Sequence, residues 1–320
     1  MIALVTGGTG FIGKKLVDAL SRLDYRVRVI SRRKFNEETK FVEVVEGDLL
    51  SESFPFAEAL KDCALVFNCA GEIRDENKMT LLHVNATERL IQAAIQETKR
   101  VKKNIHWIQL SSVGAYGPNY EGASVKRIVT EETPVNPFGT YEESKVKSDE
   151  LVENASSNPF FTYSILRPSN VFGVDMPNNS LRELGKVINK GLFFYIGKSN
   201  SIAPYVHVED VVKALLLCAT DAKARGEIFN ISNDCFLEDM IGAIAKAYNR
   251  PAPAIRIPEK FLRFLICCVG SVIRLPLSVD RINALVSRTS YPNDKLERLL
   301  GFSPEISVVS SVGEVARTEK

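Results

Sequence analysis

The chain has 320 residues, 45% of them hydrophobic and 25% charged, with a formal net charge of +2. That length can bury a core without disulfide or metal staples, the composition is that of a globular protein, and so small a net charge gives no argument for nucleic acid as a partner. The basic clusters Arg32-Arg33-Lys34 and Lys99-Arg100-Val101-Lys102-Lys103 are local and read as solvated surface.

In chain order, Ile2–Thr6 reads as a buried strand that begins at once, with no charged leader ahead of it. Phe11–Leu23 has helical spacing, and the valine-rich stretch Tyr25–Ser31, then Phe41–Val45 and Ala64–Asn68, read as strands. Thr80–Thr98 is a long amphipathic helix, Ile105–Leu110 a strand, Tyr141–Ser156 a helix and Phe161–Leu166 a strand. Strands alternating with helices predict an α/β fold with parallel β-α-β units, a doubly wound Rossmann sheet. Beyond Pro168 the pattern loosens. Leu181–Asn189 and Val211–Thr220 read as helices, Tyr205–Val208 and Ile228–Ile231 as strands, and the chain is helical from Leu237 to Lys295–Leu300. The expected organisation is a Rossmann core over 1–168, continued by about 204–231, with a smaller, mostly helical substrate lobe from 169–203 and 232–320.

The cysteines Cys63, Cys69, Cys218, Cys235, Cys267 and Cys268 form no Cys-x-x-Cys pair and no metal-ligand spacing with His83, His106 or His207. No metal is expected, and a reducing, cytoplasmic setting is. Phe261–Pro276 is apolar but interrupted by Arg263 and Arg274. It falls short of the roughly 20 apolar residues of a spanning helix, so it reads as a buried or lid helix ahead of a membrane-surface one. No transmembrane segment is expected.

Thr6-Gly7-Gly8-Thr9-Gly10-Phe11-Ile12-Gly13 follows a strand and opens a helix. Gly7 permits a tight turn, Gly10 a close approach to a pyrophosphate and Gly13 close helix–strand packing, while Phe11 and Ile12 begin a helix whose free N–H groups face anions. The context makes this a dinucleotide site. An NAD enzyme carries an acid about 20 residues on, at the end of the second strand. Here Ser31-Arg32-Arg33 stand there instead. Hydroxyl and guanidinium donors suit a 2′-phosphate, so NADP(H) is favoured over NAD(H).

Tyr141 and Lys145 are four apart and share a helix face. An ammonium beside a phenol is expected to lower its pKa and fit it for proton transfer to or from an alcohol oxygen. Leu110-Ser111-Ser112-Val113-Gly114-Ala115-Tyr116-Gly117 places hydroxyls at the carboxyl end of a parallel strand, where α/β ligands bind.

With these motifs the chain resembles the extended short-chain dehydrogenase/reductase family, in the branch of nucleotide-sugar epimerases, dehydratases and 4-ketoreductases. The resemblance runs nearly end to end. Gly47-Asp48-Leu49 is similar to the segment at the adenine, and Asn68-Cys69-Ala70-Gly71 to the fourth-strand motif beside the cofactor. Val84-Asn85-Ala86-Thr87 resembles the Asn-Val-x-Gly-Thr helix start, with Ala86 in place of glycine. The resemblance therefore implies Asp48, Leu49, Ala70, Gly71, Asn85 and Pro168 as cofactor contacts, together with Tyr141 and Lys145. It implies Ser112, four before Tyr116, as the catalytic hydroxyl, and Asn170 in Arg167-Pro168-Ser169-Asn170-Val171-Phe172-Gly173 as a sugar-nucleotide contact. Tyr205-Val206-His207-Val208-Glu209-Asp210-Val211 and Leu299-Leu300-Gly301-Phe302-Ser303-Pro304 match two further family segments. His207 is read as structural. Family members often dimerise through the helices that here would be Thr80–Thr98 and Tyr141–Ser156.

Two departures narrow the chemistry. The arginine that often precedes the family histidine by four residues is Ala203 here, which leaves Arg288 as the first candidate for a substrate phosphate and Arg281 as the weaker one. Dehydratases carry an Asp-Glu pair beside the catalytic hydroxyl, and Val113-Gly114 stand in those positions. Dehydration is therefore disfavoured. The expected activity is an NADP(H)-linked 4-keto sugar reductase on a nucleotide sugar. The alternatives are an NAD-dependent nucleotide-sugar 4-epimerase, an oxidoreductase of a lipophilic alcohol or ketone, and a non-catalytic NAD(P) sensor.

Overall fold

A computed structural model describes residues 1–32, 41–269 and 279–318, with the backbone alone for 265–269. Seven strands form one sheet: β1 (Ile2–Thr6), β2 (Arg26–Ser31), β3 (Val42–Glu46), β4 (Cys63–Asn68), β5 (Ile105–Leu110), β6 (Phe161–Pro168) and β7 (Glu227–Ile231). Their spatial order is 3-2-1-4-5-6-7 and every pairing is parallel. The order reverses between β1 and β4, and a doubly wound sheet opens its ligand crevice at that reversal.

Alternating side chains serve two helical layers. Ala3, Val5, Phe67 and Ile108 join one core with Leu16 and Leu20 of the helix Phe11–Arg22 and Val211 and Leu215 of the helix Val208–Thr220. Leu4, Val66, Ile105 and Trp107 join the other with Leu90 and Ala94 of the helix Thr87–Val101 and Val152 of the helix Thr140–Ala155. Strands covered on both faces read as continuous apolar runs, which is why they were legible.

A third core, around Phe172, Leu181, Met240, Ile244 and Val312, builds the lobe. Phe11 of the glycine turn packs against it, so one residue touches both the cofactor turn and the lobe. The sequence assigned 232–320 wholly to the lobe. Leu296, Leu300 and Phe302 instead pack in the sheet's first core, because Asp294–Leu300 lies beside β7 and carries its apolar side inward. The expected helix Thr80–Thr98 is also differently wound: Glu76–Thr80 is a short helix, Leu81–Ala86 a π-helix, and Thr87–Val101 regular. Single π turns recur at functional sites.

A buried polar ladder ties the strand ends together. Thr6 Oγ1 donates to Asn68 Oδ1 (2.7 Å) and accepts from the Ala70 N–H (3.0 Å). Asn68 Nδ2 donates to Thr87 Oγ1 (3.0 Å) and Gln109 Oε1 (3.1 Å), and Gln109 Nε2 to Ser148 Oγ (2.9 Å). Strands β1, β4 and β5 are thereby linked to the helix Thr140–Ala155. An Asn68→Leu variant orphans the groups on both sides and should lose about 1–3 kcal/mol of unfolding free energy in urea; an unchanged midpoint would mean that the ladder is incidental.

Candidate active site

The carboxyl end of β1 runs into the glycine turn. Gly7 takes φ +66°, and a Cβ there would stand 2.8 Å from the Ala70 nitrogen and the Cys69 oxygen. A Cβ on Gly13 would stand 2.1 Å from the Gly7 carbonyl oxygen. Both positions therefore exclude side chains for steric reasons. Gly10 opens the helix with no side-chain cap, and no acid lies in the first turn. Its free N–H groups suit a pyrophosphate, so the chain's own residues fit a dinucleotide. Ile12 is half-buried in the first core.

The other cofactor candidates surround that turn. Ser31 is buried at the end of β2 and Arg32 is exposed beyond it, while Arg33 lies outside the described residues. Asp48 Oδ1 accepts the Leu50 N–H at 3.0 Å, and Arg89 holds the Leu49 carbonyl at 2.9 Å. Leu49 itself is buried in the second core. Asn85 is exposed on the π turn and lines a cleft of about 440 Å³ with Leu50, Leu81 and Arg89. Ala70 and Gly71 follow β4, and Pro168 is buried at the end of β6.

The expected acid/base residues lie near the carboxyl end of β5. Lys145 is buried at 5% exposure, and its Nζ donates to the Leu110 carbonyl at 2.9 Å. A Cβ on Gly71 would stand 3.8 Å from that Nζ, so the ammonium borders the cofactor loop. Burial pulls the Lys145 pKa down, and Asp149 and Cys69 push it back. Ser112 Oγ accepts the Gly114 N–H at 3.0 Å, which leaves its own proton to donate outward.

Tyr141 departs from expectation. Its phenol is pushed up to about 12, by burial first and then by the negative charges of Glu142 and Asp149. The expected lowering by Lys145 does not appear; that ammonium donates to the Leu110 carbonyl. Tyr141 is thus a neutral acid at physiological pH.

Two residues that the motifs did not single out, Asp149 and His83, hold this arrangement. Asp149 Oδ2 accepts from Ser111 Oγ (2.7 Å) and from Arg167 Nη2 (3.0 Å), both partners buried. Its Oδ1 is buried with no partner among the described residues. The Tyr141–Lys145 spacing carried one turn further would have pointed to Asp149; the buried Arg167 opposite has no such signal. His83 Nε2 accepts the Glu72 N–H (2.9 Å), and its Nδ1 lies 2.8 Å from Ser144 Oγ, which donates to the Tyr141 carbonyl (2.8 Å). Burial and the Lys145 charge push His83 down to about 3, so it is a neutral strut between the cofactor loop and the catalytic helix. Glu142 lies beside Gly114 and Gly139.

On the lobe side, Asn170 is exposed and its Nδ2 donates to the Pro204 carbonyl at 3.0 Å, which leaves Oδ1 for a ligand. His207 Nδ1 accepts the Glu209 N–H at 3.3 Å and caps the helix Val208–Thr220, a structural role. Arg288 donates to the Ser199 carbonyl. Arg281 is exposed on the helix Val279–Val286. Among the described residues no helix is long and apolar enough to cross a membrane, and residues 270–276 of the apolar stretch lie outside them.

The Tyr141 assignment predicts a titration. A folded-state pKa raised above the unfolded value of about 10 favours the native state below pH 10, and that contribution fades as pH rises toward 12. Tyr141→Phe should therefore remove one tyrosinate from the alkaline end of an absorbance titration and none from the region near pH 10. Loss of a signal near pH 10 would overturn the assignment.

The chain is similar to known proteins over nearly its whole length. The profile of the NAD dependent epimerase/dehydratase family matches residues 3–232. Sterol-4-alpha-carboxylate 3-dehydrogenase, decarboxylating, of Mus musculus is 27% identical, covering 96% of this chain and 88% of its own. UDP-glucose 4-epimerase of Vibrio cholerae is 25% identical, covering 94% and 90%. The solved structure of MoeE5 in complex with UDP-glucose and NAD has the same fold, with a TM-score of 0.73 at 20% identity over 98% of this chain and 96% of that one. The chain is an enzyme of the NAD dependent epimerase/dehydratase family, among the extended short-chain dehydrogenases/reductases.

Proposed function

We propose that the chain is a reductase of a 4-keto sugar carried on a nucleotide, with NADP(H) preferred. The observation that carries this reading is the position of Arg288. Ala203 is buried in the strand Ile202–Ala203, and the Ile202 N–H donates to the Ser287 carbonyl at 2.7 Å. The segment bearing Arg288 therefore runs beside the alanine, and its guanidinium reaches the Ser199 carbonyl on the preceding loop. A cation thus stands near the place where the alanine supplies none. A guanidinium has five donors and suits a diphosphate. Ser31 and Arg32, with no acid in Ser31-Arg32-Arg33, support a 2′-phosphate.

A bound nicotinamide supplies the hydride to the ketone carbon. Ser112 donates a hydrogen bond from its hydroxyl to the carbonyl oxygen and polarises it. Tyr141, neutral by virtue of burial, gives its proton to the alkoxide that develops. Lys145 is placed to hold the nicotinamide ribose, since it borders Gly71. An epimerase would use the same groups in both directions and retain its nucleotide. A second reading, a lipophilic ring alcohol, is favoured by the sterol dehydrogenase relative and by Phe261 and Phe264, exposed at 57% and 67% on the helix Glu259–Val269.

The test offers a UDP-4-keto sugar with NADPH or NADH and follows nicotinamide absorbance. Arg288→Ala should raise KM for the sugar about ten- to a hundredfold with little change in kcat. Tyr141→Phe should lower kcat about 10²- to 10⁴-fold, and reductive kcat/KM should hold through pH 10, where an ordinary phenol ionises. Arg32→Ala should raise KM for NADPH and leave that for NADH. Tightly retained NAD in the purified protein would favour the epimerase, and turnover of sterol-like ketones alone would favour the second reading.

A further inference from the structure

Glu142 follows Tyr141 on the catalytic helix, and the chemistry above leaves its carboxylate without a task. We propose that Glu142 is a specificity residue: it accepts a hydrogen bond from the hydroxymethyl group on the ring carbon next to the reacting carbon, and it disfavours substrates with a carboxylate in place of that group. This rests on the 4-keto sugar reading and names the substrate class that the site prefers.

The geometry begins with two glycines. A Cβ on Gly114 would stand 2.9 Å from Glu142 Cγ, 3.6 Å from Glu142 Oε1 and 3.3 Å from Ser112 Oγ. A Cβ on Gly139 would stand 2.8 Å from Glu142 Oε2. The missing side chains at 114 and 139 make the room that Glu142 occupies. One carboxylate oxygen and the catalytic hydroxyl border the same small space, and the carboxylate's field reaches the Tyr141 phenol. The sequence placed no carboxylate beside Ser112, because Val113-Gly114 supply none. The fold brings one there from the neighbouring helix.

Glu142 is half-buried, and among the described residues no donor or cation pairs with it; the nearby ammonium of Lys145 is directed at the Leu110 carbonyl. A carboxylate partly withdrawn from water without a donor is unfavourable, and a substrate that brings a donor relieves that cost. Substituents on neighbouring carbons of a pyranose ring lie within reach of one another. A ring whose C4 oxygen meets Ser112 and Tyr141 can offer the hydroxymethyl hydroxyl on C5 to Glu142. A carboxylate in that place meets a like charge, which is repulsive. In a uronic acid the carbon next to C4 bears such a carboxylate; in glucose it bears a hydroxymethyl group.

Calorimetric binding to the NADP+-loaded protein tests this with UDP-glucose and UDP-glucuronic acid as probes, for the wild type, Glu142→Gln and Arg288→Ala. The wild type should prefer UDP-glucose. Glu142→Gln, which keeps the shape and removes the charge, should weaken UDP-glucose and strengthen UDP-glucuronic acid, each by about tenfold. Arg288→Ala should weaken both sugars alike. An unaltered preference in a Glu142→Gln protein of wild-type melting temperature overturns this inference alone. If neither sugar binds the wild type, the sugar-nucleotide reading fails and takes this inference with it.

Discussion

A buried ammonium sets the terms for this active site. Lys145 is withdrawn from water at the carboxyl end of β5, and its charge is tolerable only where fixed oxygens meet it. The Leu110 carbonyl supplies one at 2.9 Å, and the Asp149 carboxylate, one helical turn on, opposes the effect of burial. Asp149 is in turn held by Ser111 and Arg167, and the Arg167 guanidinium lies 5.1 Å from the centre of the Tyr116 ring. One charge thus draws together β5, β6 and the catalytic helix. A strand ending one residue earlier, or a helix turned by one position, would leave that ammonium unmet.

The same arrangement decides how the phenol behaves. Lys145 donates to β5, and Tyr141 takes its character from burial and from the carboxylates of Glu142 and Asp149. All three effects favour the protonated form. A neutral phenol beside an outward-pointing Ser112 hydroxyl is suited to giving a proton to an oxygen that gains negative charge, which is the demand of carbonyl reduction. His83 supports the geometry without carrying charge: it links the loop after β4 to the first turn of the catalytic helix and stays neutral because it is buried near Lys145.

The lobe meets the cofactor turn through a few residues. Phe11 couples the glycine turn to the lobe core, and Asn170 is tied to Pro204. Arg288 and Ala203 are far apart in sequence but run side by side. A family position that has lost its cation can therefore have that cation restored from another segment, and the chemistry asked of the site need not change.

The sequence by itself determined the parallel sheet, the cofactor turn and the Tyr141–Lys145 pair. These depend on local steric and periodic rules: glycines where a Cβ would strike backbone, apolar runs for strands covered on both faces, and a four-residue spacing that places two side chains on one helix face. The same spacing carried one turn further would have pointed to Asp149, which the motifs did not single out. Only the tertiary structure decided what surrounds those groups. Arg167 opposite Asp149, His83 beneath Tyr141, Glu142 in the room left by Gly114 and Gly139, and Arg288 alongside Ala203 are all long-range neighbours or depend on them. The direction of the Tyr141 pKa shift belongs with them, since it follows first from burial, which no spacing along the chain encodes.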